Sequence, residues 1–176
     1  KGLSELNTDF TGFLYAGLMI KNNEPFLIEY NVRMGDPECQ TILPKLKTYF
    51  FEIIDPCVNK NLNSISLEWS NKKSLCIVLC SKGYPENYRK NTLIQNIDKL
   101  SLDEENLCFH AGTIKKDNKI FANGGRVLNF VKQSESYKKS REDIILSINN
   151  LKWKNGFYRK DIGYKVIDKW ELYRVI

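Results

Sequence analysis

Two β-rich runs joined by a pair of asparagines set the first constraint on this chain. TGFLYAGLMI (11–20) is bounded by Gly12 and the polar turn KNNEP, and PFLIEYNVR (25–33) returns from that turn. Short runs of β-branched and aromatic residues between turn residues mark strands, and Asn22-Asn23 suits the left-handed backbone of a tight hairpin. The first run is continuously apolar and is expected as a buried strand. The second alternates. Period 2 puts Phe26, Ile28, Tyr30 and Val32 on one face, expected to pack on the core, and Leu27, Glu29, Asn31 and Arg33 on the other. Burying Glu29 and Arg33 without partners is costly, so that second face must open on water, metal or ligand.

A helix should follow. Asp36 suits an N-cap, Pro37 a first helical position, and Glu38 the positive end of the helix dipole. Apolar positions 39, 43, 46, 50, 53 and 57 step by four and three, and Pro44 and Pro56 should divide that stripe into pieces. NKNLNS (59–64) reads as the exit, which sets a boundary between residues 1–68 and 69–176. The later part predicts a strand at 73–81 and a turn-rich loop, KGYPENY. LCFHAGTIKK and KIFAN flank Asp117-Asn118 as a hairpin. A further strand is expected at 124–132, then a helix near 137–150 capped by Ser134 or Ser136, with Ile144, Ile145, Ile148 and Leu151 along one side. The class is α+β with several antiparallel strands.

Composition narrows the partners. A chain of 176 residues with 42% hydrophobic residues can bury a core, and no run approaches the roughly 20 apolar residues of a membrane helix. The opening residues lack a secretory h-region and an initiator Met, so a fragment is expected. The net charge of +6 admits nucleic acid or an anionic metabolite, although the lysines are dispersed as on an ordinary solvated surface. No RNP-like string or helix-turn-helix is present, so neither a nucleic-acid nor a membrane partner is expected. Five cysteines, mostly in apolar runs, read as reduced thiols of a cytosolic protein serving as small core hydrophobes.

Glu29 and Asn31 offer two hard oxygen ligands on one side of a strand, which suits Mg²⁺ or Mn²⁺ held against substrate phosphates. Arg33 adds a planar fork for phosphate or carboxylate, and Gly35 a tight turn into a helix start whose amides can face an anion. The same residues also fit a surface salt bridge from Glu29 to Arg33 with Asn31 between them, and the spacing does not choose. Gly124, Gly125 and Arg126 fit either an anion site or a hairpin turn followed by an exposed arginine. His110 reads as a hydrogen-bonded structural histidine, Gly83-Tyr84-Pro85 as a turn, and Arg159 with Asp161 as structural pairing.

The longer string GFLYAGLMIKNNEPFLIEYNVRMGDPECQTILPKLK resembles the late part of the ATP-grasp domain in the phosphoribosylamine–glycine ligase family. RMGDPECQ is similar to that family's signature, with Met34 where Phe or Leu is usual. The likeness runs on, in order, through KGYPENY, FHAGT, NGGRVLNFV and YRKDIGYKVI. It implies the end of an ATP-grasp domain over residues 1–68, followed by a small mixed α/β domain over 69–176. It also implies ATP, glycine and 5-phosphoribosylamine as substrates, with ADP, phosphate and glycinamide ribonucleotide as products through an acyl phosphate. By the same resemblance Glu29 and Asn31 are metal ligands, Arg33 contacts phosphate or the acyl phosphate, and Asp36 orients glycine or the amine. Gly35, Gly125 and Arg126 are then substrate-binding. A related ATP-grasp ligase acting on another acid or amine is the near alternative. The ATP-holding loop and lysines are expected upstream of Lys1. The isolated chain should therefore show no glycine-dependent ADP formation, which a coupled ADP assay with glycine and phosphoribosylamine measures; robust turnover would overturn that expectation.

Overall fold

A computed structural model describes residues 2–8 and 10–167. The chain divides into two compact units, Lys1–Cys39 with Leu46–Ser70, and Gln40–Lys45 with Asn71–Ile176.

The first unit opens with a short helix, α1 (Gly2–Glu5), followed by the hairpin of β1 (Tyr15–Lys21) and β2 (Glu24–Asn31). Lys21 pairs with Glu24, and Asn22 and Asn23 take φ of 52° and 62°, so the two-residue turn has the twist that flanking strands require. Its burial differs from expectation. Phe26, Ile28, Tyr30 and Val32 are 54–71% exposed, and Leu18, Met19 and Ile20 on β1 are 51–60% exposed. A two-stranded ribbon has two broad faces, and in this chain neither is the wall of a core. The apolar pattern marked strands correctly but did not say what covers them.

The helical stripe is also broken differently. Helix α2 (Glu38–Ile42) begins after a cis Asp36–Pro37 peptide, with the Cys39 N–H donating to the Gly35 carbonyl at 2.8 Å. The helix therefore starts one residue later than the sequence suggests, at Glu38 rather than Pro37. Pro44 lies in a single 3₁₀ turn, Leu43–Lys45, and α3 spans Phe50–Val58. Pro56 sits inside α3 without ending it. So close to the end it removes one backbone donor, and the Asn59 and Asn61 N–H groups close the last turn on Asp55 and Pro56 carbonyls.

The second unit holds the core. Strands β3 (Lys73–Ser81), β4 (Thr92–Ile94), β5 (Asn106–His110), β6 (Thr113–Lys116), β7 (Lys119–Ala122) and β8 (Arg126–Ser134) precede α4 (Tyr137–Asn150) and the short β9 (Gly156–Phe157). One antiparallel sheet has the order β5-β8-β3-β9, the other β4-β7-β6. Residues 107–116 form two strands in two sheets rather than one. The Ala111 and Gly112 N–H groups bond to the Val127 and Arg126 carbonyls, after which the chain turns away to pair with β7. Asp117 and Asn118, with φ of 47° and 57°, make the expected hairpin turn.

Period 2 works here as it did not in the ribbon. Leu75, Ile77 and Leu79 of β3 alternate into the core, and the interior strand β8 is buried from Val127 to Val131. Ile144 and Ile148 of α4 join that core with Leu151 just beyond the helix, and Ile145 packs at its margin. Ser136 caps the helix, its hydroxyl accepting from the Lys139 N–H at 3.1 Å. Gln133 donates to the Pro44 carbonyl at 3.0 Å. All five cysteines are free; Cys80 is buried, and burial pushes the Cys108 thiol up to about 12. No described helix is long and apolar enough to cross a membrane.

Truncating Phe130, which is 1% exposed, to Ala should cost about 3–5 kcal/mol of stability. Ile28→Ala, on the exposed ribbon, should cost less than about 0.5 kcal/mol. Urea denaturation of the two variants checks both, and equal losses would mean that the ribbon is packed after all.

Candidate functional site

Cross-strand register decides which side chains meet on the ribbon. Tyr15 pairs with Asn31, Ala16 with Tyr30 and Gly17 with Glu29, but Leu18 pairs with Leu27, so Ile28 is an extra residue in β2. Such a bulge shifts the alternation of the bulged strand relative to its partner. Cross-strand partners share a face, so Tyr15, Gly17, Glu29 and Asn31 stand together, whereas Leu27 follows Leu18 to the opposite face. Simple alternation had put Leu27 beside Glu29. The upper half of that face, Glu29 with Asn31, is as expected.

Gly17 leaves room for Glu29. A Cβ at Gly17 would lie 3.1 Å from the Glu29 side-chain Cγ, a tighter contact than most packed carbons make. Asn31 Nδ2 donates to Glu29 Oε1 at 2.9 Å. In this pose an amide N–H satisfies the carboxylate, where two facing oxygens would repel. Turning the amide about its last torsion would present its oxygen instead. The pair has the chemistry of a hard-cation site, with oxygen donors on one face and half-open to solvent.

Two further residues join them. Tyr15 Oη makes a long hydrogen bond to Glu38 Oε1, at 3.4 Å. The Glu38 negative charge, with smaller contributions from desolvation, that hydrogen bond and Glu29, raises the Tyr15 phenol above its ordinary value. Glu38 folds back over Gly35, where a Cβ would fall 2.8 Å from the Glu38 carboxyl carbon. Gly35 thus makes space for a carboxylate as well as turning the chain. By sequence Glu38 is only a charge at a helix start; the glycine three residues before it is the available signal. Among the described residues no group of three or more His, Cys, Asp and Glu is arranged to hold a metal. A cation here would need ligands from its substrate, which is the usual habit of magnesium.

The other expected residues are placed differently. β2 ends at Asn31, so Arg33 is off the strand face; it is exposed, with Nη1 donating to the Met34 carbonyl at 3.0 Å. Asp36 is exposed in the turn before α2. Gly125 and Arg126 belong to the second unit. There the Ser81 N–H and hydroxyl donate to the Gly125 and Gly124 carbonyls, each at 2.8 Å. A side chain on Gly125 would run into the Tyr84 ring, and one on Gly124 would fall 2.8 Å from the Gly112 Cα. Close packing therefore accounts for both glycines, and Arg126 is exposed at the start of β8. His110 Nδ1 is 2.9 Å from Thr113 Oγ1, and Arg159 pairs bidentately with Asp161 at 3.1 and 2.5 Å.

Replacing Glu38 by Gln should lower the Tyr15 pKa toward the ordinary value of about 10, because the largest cause of its elevation is that charge. Any stability Tyr15 gains from its raised pKa is present below the ordinary tyrosine value and lost as pH rises through the elevated one. NMR titration of ring-labelled tyrosine follows the shift, and an unmoved Tyr15 would show that Glu38 does not act on it.

Residues 74–165 match the family described as phosphoribosylglycinamide synthetase, C domain, and residues 1–39 match the ATP-grasp (A) domain of the same synthetase. A phosphoribosylamine–glycine ligase from Fusobacterium nucleatum is 38% identical over 164 residues, covering 93% of this chain and 38% of the relative. One from Caldanaerobacter subterraneus is 43% identical over 154 residues, covering 88% of this chain and 36% of the relative. The crystal structure of a phosphoribosylamine–glycine ligase from Thermotoga maritima superposes with a TM-score of 0.71 at 30% identity, over 92% of this chain and 39% of that one. The chain thus spans about two fifths of the length of the curated relatives it matches. With residues 74–165 matched by the C domain, more than half of the chain, and the ribbon matched by the ATP-grasp domain, the chain belongs to the phosphoribosylglycinamide synthetase family.

Proposed function

We propose that this chain is the latter part of a phosphoribosylamine–glycine ligase, acting in purine biosynthesis. Residues 1–68 belong to its ATP-grasp domain and residues 69–176 to its C-terminal domain. The observation that carries the reading is the pairing of Glu29 and Asn31 over Gly17, with Tyr15 and Glu38 on the same ground. The names of the relatives supply the substrates.

In this reading Glu29 and Asn31 hold Mg²⁺ or Mn²⁺, which would offset charge on nucleotide phosphates. The glycine carboxylate attacks the γ-phosphorus of ATP, breaking its bond to ADP and forming glycyl phosphate. The amine of 5-phosphoribosylamine then attacks the acyl carbon, phosphate leaves with the bonding pair, and a proton is lost from nitrogen. Phosphoryl transfer depends on alignment and charge neutralisation more than on a general base, so this chain's residues bind and orient. Arg33 exchanges its bond to the Met34 carbonyl for phosphate or the acyl phosphate, and Asp36 orients glycine or the amine. Gly35 keeps the turn open beside Glu38, while Gly125 and Arg126 contact substrate. The protein works in the cytoplasm without a nucleic-acid or membrane partner.

In the complete protein, Glu29→Ala should lower kcat/KM by about 10²–10³-fold, the scale of losing one transition-state charge contact, with an unchanged circular dichroism spectrum. Asn31→Ala should lower it in the same direction. Unaltered turnover in a folded Glu29→Ala protein would reduce the pair to a surface hydrogen bond. Product analysis with a panel of amino acids separates this ligase from one acting on another acid.

A further inference from the structure

The second unit carries a basic basin of its own. A cavity of about 500 Å³ is lined by Ser81, Lys82, Asn87, Tyr88, Arg89 and Asn155, a size in the range of small-molecule sites. Two cations, two primary amides, a phenol and a hydroxyl line it, and no carboxylate does. Among the described residues neither Lys82 nor Arg89 has an ion-pair partner. Cations that merely solvate a surface need not converge, so the way these are brought together matters.

Three backbone features bring them together. The bulge at Leu79/Cys80 turns the end of β3 so that Leu79, Cys80 and Ser81 are buried in succession, and Lys82 emerges at the rim. The Lys82 N–H donates to the Asn155 carbonyl at 2.8 Å, holding the segment before β9 beside it. Gly83, at φ +99°, lets the loop fold back so closely that a side chain there would strike the Asn87 carbonyl. That return carries Asn87, Tyr88 and Arg89 to the same basin, and Tyr84 meets Tyr88 edge-on with ring centroids 6.2 Å apart.

We propose that this basin binds a small phosphate monoester bearing a hydroxylated body. A phosphate dianion matches a guanidinium fork and an ammonium that lack their own counter-charge. The amides of Asn87 and Asn155, each both donor and acceptor, match sugar hydroxyls, which a bare anion would leave unused. Taken with the proposed ligase activity, the occupant is the phosphoribosyl substrate; that last assignment rests on the activity, whereas the basin does not.

The test uses the 176-residue chain with ribose 5-phosphate, ribose and inorganic phosphate as probes, read by calorimetry and by amide shifts in ¹⁵N spectra. Ribose 5-phosphate should bind more tightly than either other probe and shift the amides of residues 82–89 and 155. Lys82→Ala and Arg89→Ala should each weaken it by at least about tenfold, the scale of losing one charged hydrogen bond. Both side chains are exposed, so melting temperatures should hold, and Lys82→Arg should retain binding. Ribose 5-phosphate binding no tighter than ribose, or undiminished in the double variant, overturns the proposal. So does inorganic phosphate binding as tightly as the ester. If the complete protein makes glycinamide ribonucleotide while the basin binds nothing, only this inference falls; if the basin binds and no ligation occurs, only the activity does.

Discussion

The candidate metal pair depends on a carboxylate lying across a residue that has no side chain. Glu29 rests over Gly17 because the two are register partners, and they are partners only because Ile28 is accommodated as an extra residue before them. A side chain at 17 would press a carbon against the Glu29 stem, which would have to shift by a few tenths of an ångström. The same device recurs at Gly35, whose bare backbone admits the folded-back Glu38. Two glycines on neighbouring segments thus let two carboxylates share ground with Tyr15 and Asn31. Concentrating negative charge in this way is unfavourable by itself, and the raised Tyr15 pKa records that field. A cation is the natural complement to such a cluster.

The two units earn their structure by different physics. In the second, an interior strand flanked by two others and a capped amphipathic helix enclose Ile77, Val127, Leu128, Phe130 and Ile144 almost completely. Dense packing of that kind resists truncation and holds loops in place, including the return at Gly83 and the glycine contacts at residues 112, 124 and 125. In the first, the ribbon is held mainly by its ladder and its two-asparagine turn, while its large apolar side chains stay open on both faces. An isolated two-stranded hairpin is marginal in water. Its geometry is therefore set locally, by turn and bulge, more than by burial.

Local signals were legible wherever one chemical preference dominates. Asn22-Asn23 and Asp117-Asn118 announced their turns because few residues accept positive φ. Ser134 and Ser136 announced a helix start because a serine hydroxyl can satisfy a backbone donor, and the structure uses Ser136. The apolar run KSLCIVLCS announced a strand, whereas the alternate burial of Leu75, Ile77 and Leu79 is visible only in the fold. Other features had no local signature. Asp36 and Pro37 fit a helix start by type, yet the helix begins at Glu38. LCFHAGTIKK reads as one strand, and only pairing with two different partners divides it at Gly112. Arg33 continues the period of Glu29 and Asn31, but β2 has already ended.

The sequence by itself determined that this chain has antiparallel strands with a helix capped by Ser134 or Ser136, and that Glu29 and Asn31 stand together on a strand. Those are properties of neighbours, and residue type and period 2 encode neighbours directly. Tertiary structure alone decided that Leu27 departs from the face of Glu29, that Tyr15 and Glu38 arrive there, and that Lys82 and Arg89 converge on one basin. Each of these depends on cross-strand register or loop return between residues distant in the chain. Only the pairing of whole segments sets which of several chemically equal alignments is adopted.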